Sequence, residues 1–178
     1  MLGSLESQPA GERPELLAPV VAAALAALGL AEVVEVAAID PSAADTAAFC
    51  ARYGVAESAS ANCVVVEGRR GADSWLCACV VLATTRVDVN GLVRRHLEAK
   101  KASFAAMERA ISESAMAYGG ITPVGLPAAW PLLVDPAVVA AGPVVVGSGL
   151  RESKLVLDGA LLAALPGAVV LEGLGLPR

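Results

Sequence analysis

The sequence of 178 residues is poor in the side chains that most enzymes use for chemistry. It contains one histidine, His96, and six aromatic residues, and 17% of its residues are charged. A single histidine excludes every mechanism that needs two imidazoles, including zinc sites with paired histidine ligands. The four cysteines lack Cys-x-x-Cys spacing, so the usual zinc-knuckle and redox signatures are missing. We therefore predict neither a metal site nor a cofactor.

Long apolar runs are also missing. The alanine-rich segment at residues 16–31 is uncharged but is only sixteen residues long, and it contains Pro19 and Gly29. A membrane-spanning helix needs about 20 predominantly apolar residues. The residues before this segment include three glutamates rather than a basic cluster, so a signal peptide does not fit. We expect a cytoplasmic protein without a membrane segment.

Charge is unevenly distributed along the chain. The net charge is −5, but residues 69–109 carry +4 and the remainder carries −9. A basic zone on an acidic protein fits contact with a polyanion at one place. An ordinary solvated helix face explains the same count equally well. The residues that we expect to contact RNA in the first case are Arg94, Arg95, Lys100 and Lys101.

The hydrophobic pattern predicts an α+β fold. Residues 1–12 are rich in Gly, Ser, Pro and Glu and are predicted to be flexible, with a single domain over residues 13–178. Residues 62–67 and 75–83, separated by the turn at residues 68–71, predict a hairpin. Helical spacing follows at residues 88–99 and 103–115. This irregular alternation favours a compact, twisted, mostly antiparallel mixed sheet flanked by helices.

Two short motifs carry weak signals. Gly147-Ser148-Gly149 follows a predicted strand, but the third glycine of a dinucleotide fingerprint is replaced by Glu152, and a strand follows. The same segment lacks the spacing of a nucleophile elbow. Asp135 ends a short strand, where either a structural turn carboxylate or a site residue is expected.

The most distinctive feature is the loop at residues 118–125, Tyr-Gly-Gly-Ile-Thr-Pro-Val-Gly. Three glycines and a proline exclude regular structure. Consecutive glycines expose backbone N–H groups and allow a ligand to approach the main chain. Such a loop can polarise an ester carbonyl through its amides. A tight structural crossover is the equally acceptable alternative.

Six segments occur in the order and spacing of a known family: residues 47–55, 63–66, 100–103, 118–125, 133–135 and 146–149. Over residues 33–170 the sequence resembles the YbaK and prolyl-tRNA-synthetase-associated domains, which are aminoacyl-tRNA deacylases. The glycine loop is the specific element of this resemblance.

The resemblance implies a mixed α/β fold and hydrolysis of the ester that links a wrong amino acid to tRNA, often a prolyl-type tRNA. It implies tRNA as a partner, and an aminoacyl-tRNA synthetase as a second one. The loop from Gly119 to Pro123 would hold the ester with its backbone, and the terminal ribose hydroxyl of the substrate would assist the attacking water. No protein nucleophile and no metal would be required.

On this basis, the residues expected at the reacting ester are Asn62, Gly119, Gly120 and Thr122. The residues expected to bind the remainder of the substrate are Phe49, Tyr53, Ile121, Pro123, Gly125, Asp135, Gly147, Ser148 and Gly149.

Asn62 departs from the family pattern, in which many members carry a lysine at this position. An ammonium can pair with a phosphate or an oxyanion, whereas an amide can only form a neutral hydrogen bond. The replacement costs on the order of 1–3 kcal/mol. The alternative function is therefore binding of tRNA or aminoacyl-adenosine without turnover. A third hypothesis, a small-molecule hydrolase unrelated to RNA, predicts binding that is indifferent to salt.

Overall fold

A computed structural model describes residues 2–178. Within this range the strands are β1 (Ser7–Pro9), β2 (Glu35–Ala38), β3 (Ala61–Arg70), β4 (Asp73–Leu82), β5 (Thr85–Val87), β6 (Lys101–Phe104), β7 (Leu132–Val134), β8 (Pro143–Gly147), β9 (Ser153–Asp158), β10 (Ala168–Val170) and β11 (Gly175–Pro177). The α-helices are α1 (Pro19–Ala27), α2 (Thr46–Tyr53), α3 (Arg94–His96), α4 (Met107–Ser114), α5 (Pro136–Val139) and α6 (Gly159–Ala163).

The strands form two main sheets and a two-stranded ribbon. One sheet has the order β1-β2-β9-β8, and the other has the order β10-β7-β4-β3-β6. β7 pairs in parallel with both β4 and β10, and every other pairing of named strands is antiparallel. The predicted mixed α+β class is confirmed, with its strands divided between two sheets.

The hairpin of β3 and β4 is the longest local structure. The two-residue turn between Arg70 and Asp73 contains Gly71, whose φ of +62° suits a residue without a side chain. Most of β4 is an uninterrupted apolar run, because both of its faces are buried. The predicted hairpin is correct, but Gly68 and Arg69 belong to β3 and not to the turn.

Three apolar clusters hold the sheets together. The largest lies between the two sheets and includes Val21, Val80 and Leu155. The second covers the other face of the five-stranded sheet and contains both Cys77 and Cys79, as the alternation of side chains along a strand requires. The third packs α2 against the four-stranded sheet, so α2 is fixed relative to β8.

The N-terminal segment differs from the prediction. Residues 1–12 were expected to be flexible, yet β1 pairs with β2, and Leu5 and Ala10 are buried. Pairing and burial compensate for the Gly, Ser and Pro content of this segment. The first helix begins only at Pro19, after two short 3₁₀ turns, because a proline is well accommodated in the first turn of a helix.

The predicted helices at residues 88–99 and 103–115 are both shorter in the structure than the sequence predicts. A π-helical turn, Val89–Val93, leads into the short α3, and Asp88 caps it by accepting from the N–H groups of Gly91 and Leu92. Lys101–Phe104 forms β6 on the free edge of β3, so the second helix starts at Met107. Within residues 2–178, no helix combines the length and the apolar character needed to cross a bilayer.

Candidate functional site

A pocket of about 510 Å³ opens where the two sheets meet. Ser60 and Val145 form a single parallel bridge there, which joins the start of β3 to β8. The pocket is lined by Ala44, Asp45, Thr46, Phe49, Ser60, Ala61, Asn62, Cys63, Val64, Val65, Phe104, Ala105, Met107, Ala110, Tyr118, Gly119, Ile121, Val145, Val146, Gly147 and Lys154. Its lining is mainly apolar, so it can select a side chain by size.

The start of α2 forms one wall of the pocket. Asp45 caps this helix by accepting from the N–H of Ala47 at 3.1 Å. Thr46 then donates its hydroxyl to Oδ1 of Asn62 at 2.6 Å. This bond fixes the orientation of the Asn62 amide and leaves its N–H₂ group as the end that can meet a ligand.

The glycine loop forms the opposite wall. Gly119 and Ile121 both line the pocket, and Gly119 has a φ of +79°. In residues 2–178, the N–H groups of Gly119 and Ile121 donate to no protein acceptor. Two unpartnered backbone donors at a pocket wall match the requirement for polarising a carbonyl oxygen.

Close backbone packing holds this loop in place. Gly149 donates its N–H to the carbonyl of Gly120 at 2.7 Å. A Cβ on Gly147 would lie 2.3 Å from that same carbonyl oxygen, so the loop rests directly on the β8 backbone. Arg151 donates to the carbonyls of Tyr118 at 3.1 Å and of Pro41 at 3.3 Å, which ties the loop to the segment before α2.

The structure thus brings Asn62, Gly119, Ile121, Gly147 and Phe49 to one pocket, as the sequence-based hypothesis requires. The remaining predicted ester and substrate residues are outside the lining: Gly120, Thr122, Pro123, Gly125, Asp135, Ser148, Gly149 and Tyr53.

Several of these excluded residues support the loop from behind. Thr122 is fully buried, and its hydroxyl has no hydrogen-bond partner within residues 2–178, so we correct its placement at the ester. The hydroxyl of Ser148 lies 2.7 Å from that of Ser153, which in turn donates to the carbonyl of Leu16. A Cβ on Gly125 would collide with the backbone of Val20.

Asp135 and Tyr53 have structural roles. Asp135 caps α5 by accepting from Ala137 at 2.8 Å, and its other oxygen accepts from Gly175 at 2.6 Å. Both oxygens of this buried carboxylate are therefore used to join α5 to the C-terminal strand. The hydroxyl of Tyr53 accepts from the N–H of Asp40 at 2.8 Å, while its ring packs on Phe49.

Sequence reasoning missed Lys154, which lies in β9 and lines the pocket. Its ammonium donates to the carbonyl of Ala44 at 3.1 Å and lies 5.5 Å from the centroid of the Phe49 ring. Burial lowers the pKa of Lys154, and the charge of Arg151 lowers it further. The signal in the sequence is a lysine directly before an apolar strand run, Leu155-Val156-Leu157.

The titratable residues that line the pocket are Asp45, Cys63, Tyr118 and Lys154. Burial raises the pKa of the Cys63 thiol to about 12, so this side chain is not a thiolate nucleophile near neutral pH. His96 is exposed on α3 and does not line the pocket. The site therefore contains neither an imidazole base nor an activated thiol.

The rim of the pocket exposes three large apolar side chains. Phe104 is 67% exposed, Tyr118 59% and Met107 52%, and all three line the pocket. Flat aromatic rings beside a pocket mouth provide surfaces on which a nucleic acid base can stack.

An ion-pair network around the buried Glu67 positions α4 against the sheet beside this rim. Glu67 in β3 accepts from Arg69 at 2.6 Å and from Arg109 at 2.5 Å, and Arg109 also bonds Glu113 at 2.6 Å. The hydrogen bond from Arg69 is the main reason why the pKa of Glu67 lies below its ordinary value. Because α4 carries Met107, the network fixes one edge of the pocket.

The predicted RNA-binding residues lie at the other end of β3. Arg94, Arg95, Lys100 and Lys101 are all exposed. Lys101 pairs with Arg69, which is seven residues beyond Asn62 on β3, a separation of about 23 Å. These cations therefore lie away from the pocket and cannot contact a group inside it.

Solved structures with the same fold have low sequence identity to this chain. A proposed trans-editing enzyme for prolyl-tRNA synthetase is 21% identical, with a TM-score of 0.73 over 93% of this chain and 96% of that chain. The hypothetical protein APE2540 is 24% identical, with a TM-score of 0.75 over 88% of this chain and 99% of that one. A scaffold used for computational epitope grafting is 22% identical, with a TM-score of 0.73 over 90% and 97% of the two chains. Together they define the fold class.

The sequence itself defines the family. Residues 40–165 match the aminoacyl-tRNA editing domain, and this range includes the pocket wall at α2, the glycine loop and Lys154. The chain belongs to the aminoacyl-tRNA editing domain family, the YbaK family, which confirms the resemblance found in the sequence. No curated protein matches the sequence significantly.

Proposed function

We propose that this protein is a trans-editing aminoacyl-tRNA deacylase that hydrolyses the ester of a mischarged tRNA, with a prolyl-type tRNA as its substrate. The observation that carries the proposal is the pair of N–H groups of Gly119 and Ile121 in the pocket, which have no acceptor among residues 2–178. They would donate to the ester carbonyl oxygen, on which negative charge develops during hydrolysis.

The chemistry needs no protein nucleophile. Water adds to the carbonyl carbon, the bond between that carbon and the ribose oxygen breaks, and the ribose oxygen leaves as a hydroxyl group. The products are free amino acid and tRNA. The neighbouring ribose hydroxyl of the substrate would orient the water and relay its proton, which suits a pocket lined by neither histidine nor a reactive thiol.

Substrate selection would follow from the shape of the pocket. An apolar lining that includes Phe49, Val65 and Val146 favours a small apolar aminoacyl group such as alanyl or cysteinyl. The terminal adenine would stack on Tyr118 or Phe104 at the rim. Arg94, Arg95, Lys100 and Lys101 would contact phosphates farther along the acceptor stem. An aminoacyl-tRNA synthetase remains part of the proposal as a partner that releases the mischarged tRNA.

Asn62 supports a second candidate function, which is binding without turnover. Its side chain is neutral and already accepts a hydrogen bond from Thr46. Such a protein would bind aminoacyl-adenosine, or bind tRNA with a strong salt dependence, and leave the ester intact.

The test is a panel of prolyl-type tRNAs mischarged with alanine or cysteine, or correctly charged with proline, each incubated with protein at one hundredth of the tRNA concentration. We expect loss of the alanyl or cysteinyl ester at many turnovers per protein molecule. If every ester persists while the tRNA is bound, the binding function is correct. Asn62→Lys then provides a second readout, because gain of turnover in a silent protein would identify the missing charge as the cause.

A further inference from the structure

Lys154 occupies an unusual position for a lysine. It lies in β9 between Ser153 and Leu155, and the whole residue is 8% exposed. β9 is an inner strand, in which Lys154 pairs with Ala37 of β2 on one side and Gly147 of β8 on the other. Buried lysines are rare unless their charge has a partner, so the position calls for an explanation.

The direction of its side chain follows from the strand pairing. Residues directly opposite each other in an antiparallel pair point to the same face of the sheet. A Cβ on Gly147 would point at the carbonyl oxygens of Gly120 and Ile121, at 2.3 and 2.7 Å. Lys154 therefore leaves the sheet on the face on which the glycine loop packs. Because Gly147 has no side chain, the loop can lie directly against β8 next to the strand position of the lysine.

The ammonium itself is incompletely paired. It donates to the carbonyl of Ala44 at 3.1 Å. In the described part of the chain, residues 2–178, no carboxylate forms an ion pair with it. An ammonium has three donors, so two remain for a ligand in the pocket that Lys154 lines.

Lys154 and Asn62 are held by the same short segment. Ala44 accepts from the ammonium, and Thr46, two residues later, donates to Asn62. Two residues of chain span at most about 7 Å. The positive charge and the neutral amide are therefore attached to neighbouring points of one wall, opposite the N–H groups of the loop.

We infer that Lys154 is a catalytic residue that binds the carbonyl oxygen of the aminoacyl ester, together with the loop amides, and stabilises the oxyanion formed when water adds. Asn62 leaves the start of β3 without a charge, and β9 supplies the charge in its place. This inference rests on the proposed function, because it assigns the electrophilic group of that same site.

A catalytic role and a structural role for Lys154 predict different effects of its removal on the stability of the protein. The groups that influence its charge are Arg151, Asp45 and Cys50. Burial is the largest effect, and it lowers the pKa of Lys154 below the value of the unfolded chain. At neutral pH a lysine with a lowered folded pKa opposes folding. Lys154→Met should therefore unfold at the same temperature as the wild type or higher, while a lysine that anchors Ala44 would leave a less stable protein when removed.

The experiment compares four proteins: the wild type, Lys154→Met, the double variant Asn62→Lys with Lys154→Met, and Arg86→Met as a control that removes one exposed charge outside the pocket. Each is assayed for deacylation of alanyl-tRNA, for thermal unfolding, and for binding of a non-hydrolysable amide analogue of alanyl-adenosine. We expect Lys154→Met to lose about 10- to 150-fold in deacylation rate and in affinity, as expected for one charge-assisted hydrogen bond. The double variant should recover part of this loss, and Arg86→Met should lose nothing.

The outcomes separate this inference from the proposed function. If the wild type deacylates tRNA and Lys154→Met does so equally well, the role of Lys154 is refuted and the deacylase function stands. If the wild type binds the analogue without turnover and Lys154→Met does not bind it, the deacylase function is refuted, and Lys154 remains the group that holds the ligand. If the wild type neither binds nor hydrolyses, both are refuted.

A pH profile gives a further readout. Deacylation by the wild type should fall as the pH rises through the lowered pKa of Lys154, because the neutral amine no longer stabilises an oxyanion. In Lys154→Met this decrease should be absent. An unchanged decrease in the variant would contradict the assignment.

Discussion

Replacing Gly147 by alanine tests whether the glycine loop must lie where the structure places it. The added Cβ would be 2.3 Å from the carbonyl oxygen of Gly120 and 2.7 Å from that of Ile121. The loop would have to move by about 0.7 Å to reach the 3.0 Å below which real Cβ contacts are essentially never found. Displacement of a reacting group by about 1 Å can reduce a rate on the order of 100-fold.

The same substitution has a calculable effect on stability. Overpacking of this kind costs about 1–3 kcal/mol, which lowers the melting temperature of a domain of this size by about 2–12 °C. The assay is the single-turnover deacylation rate of alanyl-tRNA below the melting temperature, alongside thermal unfolding. We expect the rate to fall far more than the folded fraction does.

Gly68→Ala is the matched control. It also adds a Cβ to a strand glycine, but the nearest atom, Nε1 of Trp75, lies at 3.1 Å and belongs to a side chain. Gly68 lies on β3, six residues beyond Asn62, or about 20 Å away. If Gly147→Ala deacylates alanyl-tRNA at the wild-type rate, or if Gly68→Ala loses as much of this rate as Gly147→Ala does, the loop position does not control the chemistry.

Three further predictions follow from other contacts. Glu67→Gln should lower the free energy of unfolding by about 1–2 kcal/mol at pH 7. Because the pKa of Glu67 is lowered in the folded protein, urea titrations should show that this difference between variant and wild type becomes smaller below about pH 4. A difference that stays constant with pH would contradict the role of the Glu67 charge. Tyr118→Ala should weaken tRNA binding by about 5- to 150-fold if a base stacks on it, as measured by filter binding against Val33→Ala, and equal affinities would exclude stacking. Burial raises the pKa of Cys63 to about 12, so its alkylation at pH 8, followed by mass spectrometry, should be much slower in the folded protein than after unfolding, and equal rates would contradict the raised pKa.

Local sequence signals predicted the elements whose stabilising contacts are close in the chain. The β3–β4 hairpin depends on its own alternation and on a glycine turn, and Gly54 ends α2 in the left-handed conformation expected of a C-terminal glycine. The glycine loop was recognisable because no regular element tolerates its composition. These features need no knowledge of distant partners.

The elements that were missed depend on long-range pairing. Lys101–Phe104 forms a strand because the edge of β3 is available to it, not because of its own composition. β1 is ordered by pairing with β2, almost thirty residues later. Lys154 reaches the pocket through its register opposite Gly147, and no local pattern specifies that register. The sequence therefore predicts the loop but not the buried charge beside it.

Asp135 and Thr122 illustrate the opposite error. Both lie in segments that carry the family resemblance, yet one joins α5 to β11 and the other is buried behind the loop. A polar residue next to a functional motif can have a purely structural role, as Asp135 does when it joins α5 to β11. Sequence spacing alone does not separate the two roles, because both place the residue within the same few positions.

A structure of the protein with a non-hydrolysable amide analogue of alanyl-adenosine would test the assignment of the pocket most directly. We expect the carbonyl oxygen of the analogue within hydrogen-bond distance of the N–H groups of Gly119 and Ile121 and of the Lys154 ammonium. The adenine should lie against Tyr118 or Phe104. An analogue bound outside the pocket, or inside it with its carbonyl directed away from both the loop and Lys154, would contradict the proposed site.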